Sequence, residues 1–465
     1  MIRMIIITLF LSIPLFSVAQ QLDKIDSFIT AKIRERHIPG FAFAVIKNDQ
    51  LIRRSMYGIS NLEHNTPVNE HTVFEIASMT KQFTCAAILL LEQDKKLTIT
   101  DKLSKYIDEL PTEWDSITLY QLMNHTAGLY DDWDEPTSYF LENHTIQKMQ
   151  LAQQKQKFLF KPGEGHNYSS GPFFLGLVIE KITGEHYSIF LQERIFKPLD
   201  MSCTSVYNDS VTVPNRAAGY WWKNNRHQNG VDLPPAAEGR ADVGIISCID
   251  DMIKWIKALK SDRLLNDESL KKMFTPGSLN NGRYISYGLG WNIYPYRGKI
   301  IYEHGGAFRT GFMSRIMLFP EENIEIILLC NLWRSGMASI AYELAGFYVP
   351  GFKKITNTRP IKDESELTEQ FEKLFKKLSA GAIDRNELYK QVNISGFDPD
   401  ELKDLLKGFR SLQLINKKEL KTNPLRLYGK EISNIYYYKT LADNPTTWAF
   451  YLTSSKELIS VNIED

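Results

Sequence analysis

The chain has 465 residues, and its 55 Lys and Arg residues balance its 55 Asp and Glu residues, so the formal net charge at pH 7 is zero. A chain without net charge offers no electrostatic footprint for a nucleic-acid partner and no polybasic patch for a membrane surface. Hydrophobic residues make up 43% of the sequence, which is enough for substantial cores, and the length favours about two or three domains.

Residues 1–19 have the pattern of a secretory signal peptide. Met1-Ile2-Arg3 is a short basic region, the run from Met4 to Val18 is almost entirely apolar, and Ser17-Val18-Ala19 is a small-x-small cleavage site. The run is shorter than the roughly 18 residues that a spanning helix needs, and no later run is long enough. We therefore expect a secreted or periplasmic protein with no stable membrane span after signal cleavage. The alternative is an uncleaved membrane anchor.

The stretch Ser78-Met79-Thr80-Lys81 opens an apolar helical run that extends from Phe83 to Leu91. A serine and a lysine three residues apart lie on one face of a helix. There the amine can take the serine proton, and the helix N-terminus offers backbone N–H groups to a developing oxyanion. Taken alone, the spacing also fits an ordinary solvated helix start, because S-x-x-K is common by chance. The surrounding residues decide between these interpretations.

S-x-x-K is one of the motifs of β-lactamases and penicillin-binding proteins, and further segments match that superfamily in order and spacing. The matching segments are Pro39-Gly40 with the run Phe41 to Ile46, Phe74 to Ser78, Leu122 to Leu129, Pro162-Gly163-Glu164, Tyr168-Ser169-Ser170, Pro198 to Met201, Tyr287 to Trp291 and His304-Gly305-Gly306. From about residue 25 to residue 350 the chain therefore resembles the serine β-lactamase/penicillin-binding-protein superfamily, and within it the class C-like branch of serine hydrolases.

The resemblance implies an α/β fold over residues 22–350. This is the β-lactamase/transpeptidase-like fold, in which helices flank an antiparallel sheet and an all-α subdomain is added. The resemblance also implies that Ser78 attacks a carbonyl carbon while Lys81 and Tyr168 share its proton. His304 is expected within reach of Tyr168 or of the substrate. Among 22 tyrosines, however, Tyr168 also fits an ordinary half-buried aromatic, and His304-Gly305-Gly306 also fits a plain turn.

In relatives, two backbone N–H groups form the oxyanion hole, and here they would belong to Ser78 and Ala307. Gly306 would let a substrate lie against the edge strand as an added β-segment. Ser170 would contact the substrate at a position where the family usually has asparagine. His125 lies within a signature segment, Leu122 to Leu129, and we expect it to be structural.

Two departures from the family pattern bear on the substrate. Ser170 replaces an amide that can both donate and accept a hydrogen bond. His304 stands where most dedicated β-lactamases have lysine, so a permanent cation becomes a group that is mostly neutral at pH 7. We therefore expect weak or no β-lactamase activity.

The residues after Pro350-Gly351 have a different pattern. Residues 351–365 are polar and resemble a linker. A helical stripe from Leu367 to Leu378 follows, stopped near Gly381, and then a second helix from Pro399 to Phe409. Strand-like runs cover Leu412 to Ile415, Ile435 to Lys439, Trp448 to Thr453 and Leu458 to Ile463. Residues 366–465 are therefore expected to form a small α+β domain, whose order of elements resembles cystatin-like or NTF2-like tails. Two roles are open for this domain: a passive cover of hydrophobic surface, or a substrate-gating or cell-envelope-binding function.

Together these features predict an exported serine hydrolase that acts through a Ser78 acyl-enzyme on esters, amides or D-amino-acid peptides. The alternative is a penicillin-binding or peptidoglycan-interacting protein that is acylated but turns over slowly. The expected partners are small-molecule or peptide substrates, cell-wall peptides among them. No metal or organic cofactor is implied. The four cysteines are widely spaced, and most of them are best interpreted as buried free thiols, although an exported chain can bridge a pair.

Overall fold

The computed structural model describes residues 13–108, 110–129, 158–231, 240–356, 359–362, 365–383, 399–420 and 424–464. Residues 1–12 of the predicted signal peptide lie outside this part, and its remaining residues fall at the start of the first helix. Within the described part, no helix combines the length and apolar character needed to cross a membrane.

The described part of the chain contains both α-helices and β-strands along its length. The helices are α1 Ile13–Arg36, α2 Thr80–Gln93, α3 Leu119–Met123, α4 Pro172–Thr183, α5 Tyr187–Leu191, α6 Ile249–Ala258, α7 Asp267–Met273, α8 Met337–Tyr348, α9 Ser365–Ser379 and α10 Pro399–Leu405. The strands of the first 350 residues are β1 Gly40–Lys47, β2 Gln50–Asn61, β3 Thr66–Pro67, β4 Phe74–Glu75, β5 Ser205–Val206, β6 Tyr220–Lys223, β7 Arg226–Asn229, β8 Ile245–Ser247, β9 Asn292–Tyr296, β10 Lys299–Phe308, β11 Phe312–Phe319 and β12 Ile324–Cys330. Those that follow are β13 Ser411–Glu419, β14 Leu425–Leu427, β15 Lys430–Ile432, β16 Asn434–Leu441, β17 Thr447–Leu452 and β18 Leu458–Ile463.

A seven-stranded sheet in the order β3-β2-β1-β12-β11-β10-β9 forms the centre of the molecule, and its strands pair antiparallel. The central strands β1 and β12 are almost entirely buried, because helices cover both faces of the sheet. Ala42 and Ala44 face the α2 side, whereas Phe41 and Phe43 face α1 and α8. Small residues on one face and aromatic residues on the other follow from the period of two along a strand.

A second, three-stranded sheet, β4-β8-β5, holds the segment that carries Ser78. Phe74 pairs with Ser247 and Glu75 with Ile246, and Ile76 N–H donates to the Ile245 carbonyl at 3.1 Å. The chain then enters a 3-10 turn and helix α2, whose residues from Thr80 to Leu91 are all buried. The small sheet therefore fixes the position of Ser78, the candidate nucleophile, relative to the central sheet.

The C-terminal residues form a four-stranded antiparallel sheet, β13-β16-β17-β18, with helices α9 and α10 on one face. The apolar pattern of the sequence predicts all four of these strands and both helices. Helix α9 ends two residues before Gly381, which has a left-handed φ of 63° that favours glycine after a helix. Although the elements are confirmed, the division into domains at residues 22–350, 351–365 and 366–465 stays a prediction.

Both faces of this C-terminal sheet are covered. Tyr436, Tyr438 and Phe450 face helix α9, whereas the alternating residues Tyr437 and Tyr451 join the apolar core of the first 350 residues. The C-terminal segment thus shares a core with the preceding region in addition to its own.

Polar contacts and a hairpin support the same junction. Tyr451 OH accepts from Gly298 N at 3.5 Å, and Glu464 Oε1 accepts from Arg297 N at 3.3 Å. The β14–β15 hairpin places Tyr428 against the loop before β9, where its ring stacks on Tyr284 at 5.4 Å. The hairpin therefore lies against the loop that includes Tyr287.

Candidate active site

Ser78 lies in a tight turn between strand β4 and helix α2. Ala77, the residue before it, has a left-handed φ of 48°, which is unusual for a residue with a side chain and costs about 1–3 kcal/mol. The turn lies directly against β10, where a Cβ on Gly306 would be 2.0 Å from the Ile76 carbonyl oxygen and 2.3 Å from Ser314 Oγ. Ser314 Oγ also donates to that carbonyl at 2.7 Å. Only glycine at position 306 therefore permits this approach.

Lys81 lies one helical turn after Ser78, and the two side chains meet as their spacing predicts. The distance from Lys81 Nζ to Ser78 Oγ is 3.2 Å, and Nζ also donates to the Asp242 carbonyl at 3.1 Å. The lysine is only 2% exposed and the serine 8%. A buried amine in hydrogen-bonding distance of a hydroxyl is the arrangement that activates a serine.

Tyr168 covers the amine from the other side. Its ring centroid is 4.7 Å from Lys81 Nζ, and it belongs to an aromatic cluster in which it lies 4.4 Å from the ring of His125 and 5.9 Å from that of His304. The structure therefore brings Ser78, Lys81, Tyr168 and His304 together, although they are spread over more than two hundred residues of sequence.

His304 is held in one tautomer by two hydrogen bonds. Its Nδ1 lies 2.7 Å from the Gly305 carbonyl, which can only accept, so Nδ1 carries the proton. Its Nε2 lies 2.9 Å from Tyr287 OH and therefore accepts from the phenol. Burial, reinforced by the nearby charge of Lys81, lowers the pKa of His304 to about 3. The imidazole is thus neutral at physiological pH.

A cavity of about 430 Å³ opens over these groups. The lining consists of Ser78, Tyr168, Asn292, His304, Gly305, Gly306, Ala307, Met313, Ser314, Arg315, Trp333, Met337 and Ala338. Both residues predicted to supply oxyanion N–H groups, Ser78 and Ala307, are among them. Ser170 is not, and it is 1% exposed, so its predicted contact with a substrate stays a prediction.

Three residues that were not among the predicted site residues hydrogen-bond to the catalytic candidates or pack against them. Tyr287 is fully buried and donates to His304. His125, expected to be structural, accepts from Ser169 N at 3.2 Å and lies against the ring of Tyr168. Asp242 supplies the carbonyl that binds Lys81. Burial alone would raise the pKa of its carboxyl group, but the ion pair with Arg240 at 2.7 Å lowers it.

Arg315 is a further residue that the sequence analysis missed. It is the one permanently charged residue among those that line the cavity. Its Nε and Nη2 atoms bind the carboxylate of Glu303 at 3.0 and 2.5 Å, and Nη2 also donates to Tyr342 OH at 2.7 Å. Nη1 has no hydrogen-bond partner within the described part of the chain. Its place at the cavity follows from the pairing of β10 with β11, which sets Arg315 opposite Gly305.

In the sequence, Gly288-Leu289-Gly290 is too short for a dinucleotide-binding fingerprint and predicts a strand with close backbone approach. The close approach is confirmed, because a Cβ on Gly290 would lie 3.0 Å from the Lys81 carbonyl oxygen and one on Gly288 2.5 Å from that of Met273. The strand is wrong, since β9 begins only at Asn292. The segment instead packs its loop against the start of helix α2.

Comparison with curated proteins identifies relatives of this chain. Penicillin-binding protein 4* of Bacillus subtilis strain 168 is 29% identical over 318 residues, which cover 64% of this chain and 69% of that protein. The D-aminopeptidase of Brucella anthropi is 28% identical over 322 residues, which cover 66% and 60%. The chain thus matches about two thirds of the length of these relatives.

Solved structures and a family model agree with this result. The octameric penicillin-binding protein homologue from Pyrococcus abyssi has a TM-score of 0.60 at 21% identity and covers 94% of both chains. A penicillin binding protein from Bacillus halodurans has a TM-score of 0.59 at 24% identity, covering 67% of this chain and 98% of its own. These likenesses confirm the predicted fold class. Because the Beta-lactamase family model matches residues 25–348, the chain belongs to the β-lactamase family, and it is a serine hydrolase of that family.

Proposed function

We propose that this protein is an exported serine hydrolase that forms an acyl-enzyme at Ser78 and acts on esters, amides or D-amino-acid peptides, with weak or no β-lactamase activity. The observation that carries the proposal is the 3.2 Å distance between Lys81 Nζ and Ser78 Oγ, where Ser78 lines a cavity of about 430 Å³. Export rests on the pattern of residues 1–19 alone.

In the proposed reaction, Ser78 Oγ attacks the carbonyl carbon while its proton passes to the Lys81 amine and the Tyr168 phenol. The backbone N–H groups of Ser78 and Ala307 stabilise the tetrahedral oxyanion. Its collapse expels the leaving group, which takes the proton from the Lys81–Tyr168 pair, and leaves the acyl group on Ser78. Water then repeats the sequence and releases the acid.

The neutral state of His304 supports the expectation of weak β-lactam hydrolysis. Both ring nitrogens are already hydrogen-bonded, to Gly305 and to Tyr287, so His304 offers neither a charge nor a spare donor to a substrate carboxylate. A hydrogen bond to a charged group contributes about 1.5–3 kcal/mol, or roughly ten- to a hundredfold in affinity. A lysine at this position would supply that interaction.

Arg315, rather than His304, is the group that can bind a substrate carboxylate in this cavity. We therefore expect a preference for peptide acyl donors whose carboxylate lies near Arg315. The ion pair with Glu303 occupies one edge of the guanidinium and leaves Nη1 at the cavity. The relative named D-aminopeptidase is consistent with peptides as one substrate class. The test compares a thioester whose leaving group is thioglycolate with the same thioester of thioglycolamide. We expect the carboxylate substrate to be preferred about tenfold or more, and expect the preference to fall in Arg315→Gln/Glu303→Gln, which removes both charges of the pair.

Intact-mass spectrometry during incubation with esters, D-amino-acid amides and β-lactams tests the nucleophile. The wild type should gain one acyl group, or one phosphonyl group from a fluorophosphonate, and Ser78→Ala should gain none. Equal labelling of both proteins would remove Ser78 from the mechanism. An acyl-enzyme that persists for hours with every donor would favour the slow penicillin-binding alternative, which the name of the Bacillus subtilis relative also suggests.

A further inference from the structure

Cys203 and Cys248 lie opposite each other at the end of the small sheet that carries the nucleophile segment. In this sheet Val206 pairs with Ile245 and Ser205 pairs with Ile246. The register continues one step further, since Thr204 Oγ1 lies 2.7 Å from Ser247 Oγ. The next pair in the same register is Cys203 with Cys248.

The geometry of this pair is that of a disulfide site. The two sulfurs lie within 4.8 Å of each other. Residues directly opposite in an antiparallel pair have Cα atoms about 4.5–5.5 Å apart, which falls within the roughly 4.4–6.8 Å that disulfides span. The other two cysteines differ, because Cys85 Sγ contacts the Met123 carbonyl and Cys330 Sγ contacts Ser335 Oγ, and both are fully buried.

We propose that Cys203 and Cys248 are a redox site that closes to a disulfide by exchange with an external disulfide such as oxidised glutathione. Cys203 is partly exposed and therefore reacts first. Its thiolate attacks one glutathione sulfur, which forms a mixed disulfide and releases one glutathione thiolate. The Cys248 thiolate then attacks the Cys203 sulfur and releases the second glutathione. Two protein thiols are oxidised, and one glutathione disulfide is reduced to two thiols.

The bond would fasten the sheet on which the candidate active site depends. Strand β8 pairs with β5 on one side and with β4, the strand before Ser78, on the other. The loop that the bond would close, residues 203–248, also contains Asp242, whose carbonyl binds Lys81. Closing a loop of this length removes conformational entropy from the unfolded chain. The oxidised protein should therefore melt at a higher temperature than the reduced one.

A metal site is the competing interpretation, because an Asp251 carboxylate oxygen lies within 4.8 Å of both sulfurs. This carboxylate is already engaged. It accepts from Cys203 N at 2.7 Å, from Thr204 Oγ1 at 2.9 Å and from Lys254 Nζ at 3.2 Å. Three donors on one carboxylate fix the backbone at Cys203 and leave little capacity to bind a cation. Oxidation of the two thiols to a disulfide is therefore favoured over metal binding.

The test uses the full chain, purified under reducing conditions and incubated at pH 8 with oxidised glutathione. Thiols are then alkylated in denaturant and counted by intact mass. The wild type has four free cysteines, and we expect it to keep two alkylatable thiols, lose about 2 Da before alkylation, and give a peptide pair that joins residues 203 and 248. Cys330→Ala, the matched control, should still lose two thiols, whereas Cys203→Ser should lose none.

Thermal melting supplies the second measurement. The oxidised wild type should melt several degrees higher than the same protein in dithiothreitol, and Cys203→Ser should show no such difference. Four alkylatable thiols after prolonged oxidation, or a glutathione adduct on Cys203 that never resolves, would overturn the proposal. So would stoichiometric zinc on the purified protein that blocks oxidation. None of these outcomes depends on hydrolysis at Ser78, so the proposal and the enzymatic function are tested separately.

Discussion

Gly306 and Gly305 are neighbours on strand β10, yet an added methyl group should have very different effects at the two positions. At Gly306 the new Cβ would lie 2.0 Å from the Ile76 carbonyl oxygen and 2.3 Å from Ser314 Oγ. At Gly305 the nearest atom is Arg315 Nη1 at 3.3 Å, the end of a long side chain, followed by the Ser314 carbonyl oxygen at 3.8 Å. The first site contacts fixed backbone, and the second contacts a group that can shift.

The magnitude follows from these distances. Relieving the contact in Gly306→Ala requires strand β10 and the Ser78 turn to separate by more than about 1 Å, and a displacement of that size at reacting groups costs about a hundredfold in rate. It also moves Ala307 N–H from its position, and loss of one oxyanion donor costs about 10²–10³ in kcat. Gly305→Ala should change kcat/KM by less than about threefold, which corresponds to well under 1.4 kcal/mol.

The assay is hydrolysis of a p-nitrophenyl ester by the wild type and both variants, with a thermal melt of each protein. Gly306→Ala should fold with a modest loss of stability of about 1–3 kcal/mol from overpacking and lose most of its kcat. If both alanine variants retain wild-type kcat, the close approach of β10 does not set the oxyanion geometry, and the assignment of Ser78 and Ala307 is refuted.

Three further predictions concern the proton relay, acid stability and the C-terminal segment. Lys81→Ala and the Lys81→Ala/Tyr168→Phe double variant should be about equally inactive, since residues that act as a unit are strongly non-additive; logarithms of kcat/KM that simply add would show independent roles. The pKa of His304 is about 3 in the folded state against about 6.5 when unfolded, so the unfolded chain binds more protons below pH 6.5, and this contribution to stability is present above that pH and declines as the pH falls towards 3. Urea unfolding at pH 7.5 and pH 5 measures how much the free energy of unfolding falls with acid, and this fall should be smaller by about 2 kcal/mol in His304→Gln than in the wild type. Equal falls in the two proteins would contradict the neutral state of His304. A chain that ends at Thr356 exposes the core that Tyr437 and Tyr451 cover, so we expect a lower melting temperature and aggregation, and an unchanged cooperative melt would show that the shared core is dispensable.

Much of the candidate site could be inferred from the sequence because its chemistry is local. Ser78 and Lys81 are one helical turn apart, and helix geometry alone brings their side chains to one face. The same reasoning predicted the elements of the C-terminal segment, because a period of two or of 3.6 in apolar residues reports which side of a strand or helix is buried. Gly381 after α9 is a further local signal.

Other features depend on contacts between distant segments, which local patterns do not encode. Tyr287 donates to a candidate active-site residue only because β10 brings His304 to its hydroxyl. Arg315 reaches the cavity only because the strand register places it opposite Gly305. Both faces of the C-terminal sheet are buried, because residues such as Tyr437 alternate with those that face helix α9 and cover the core of the preceding region.

Residue types at short fixed spacings were enough to predict the candidate pair Ser78 and Lys81, the family, and the helices and strands of the C-terminal segment. Contacts between distant segments set which charged residue lines the cavity, which tautomer of His304 is present and which cysteines meet. Cys203 and Cys248 are 45 positions apart and become neighbours through the pairing of β5 with β8. Strand pairing, burial and electrostatic environment are properties of the folded chain, because the free energy of each depends on atoms that the sequence places far away.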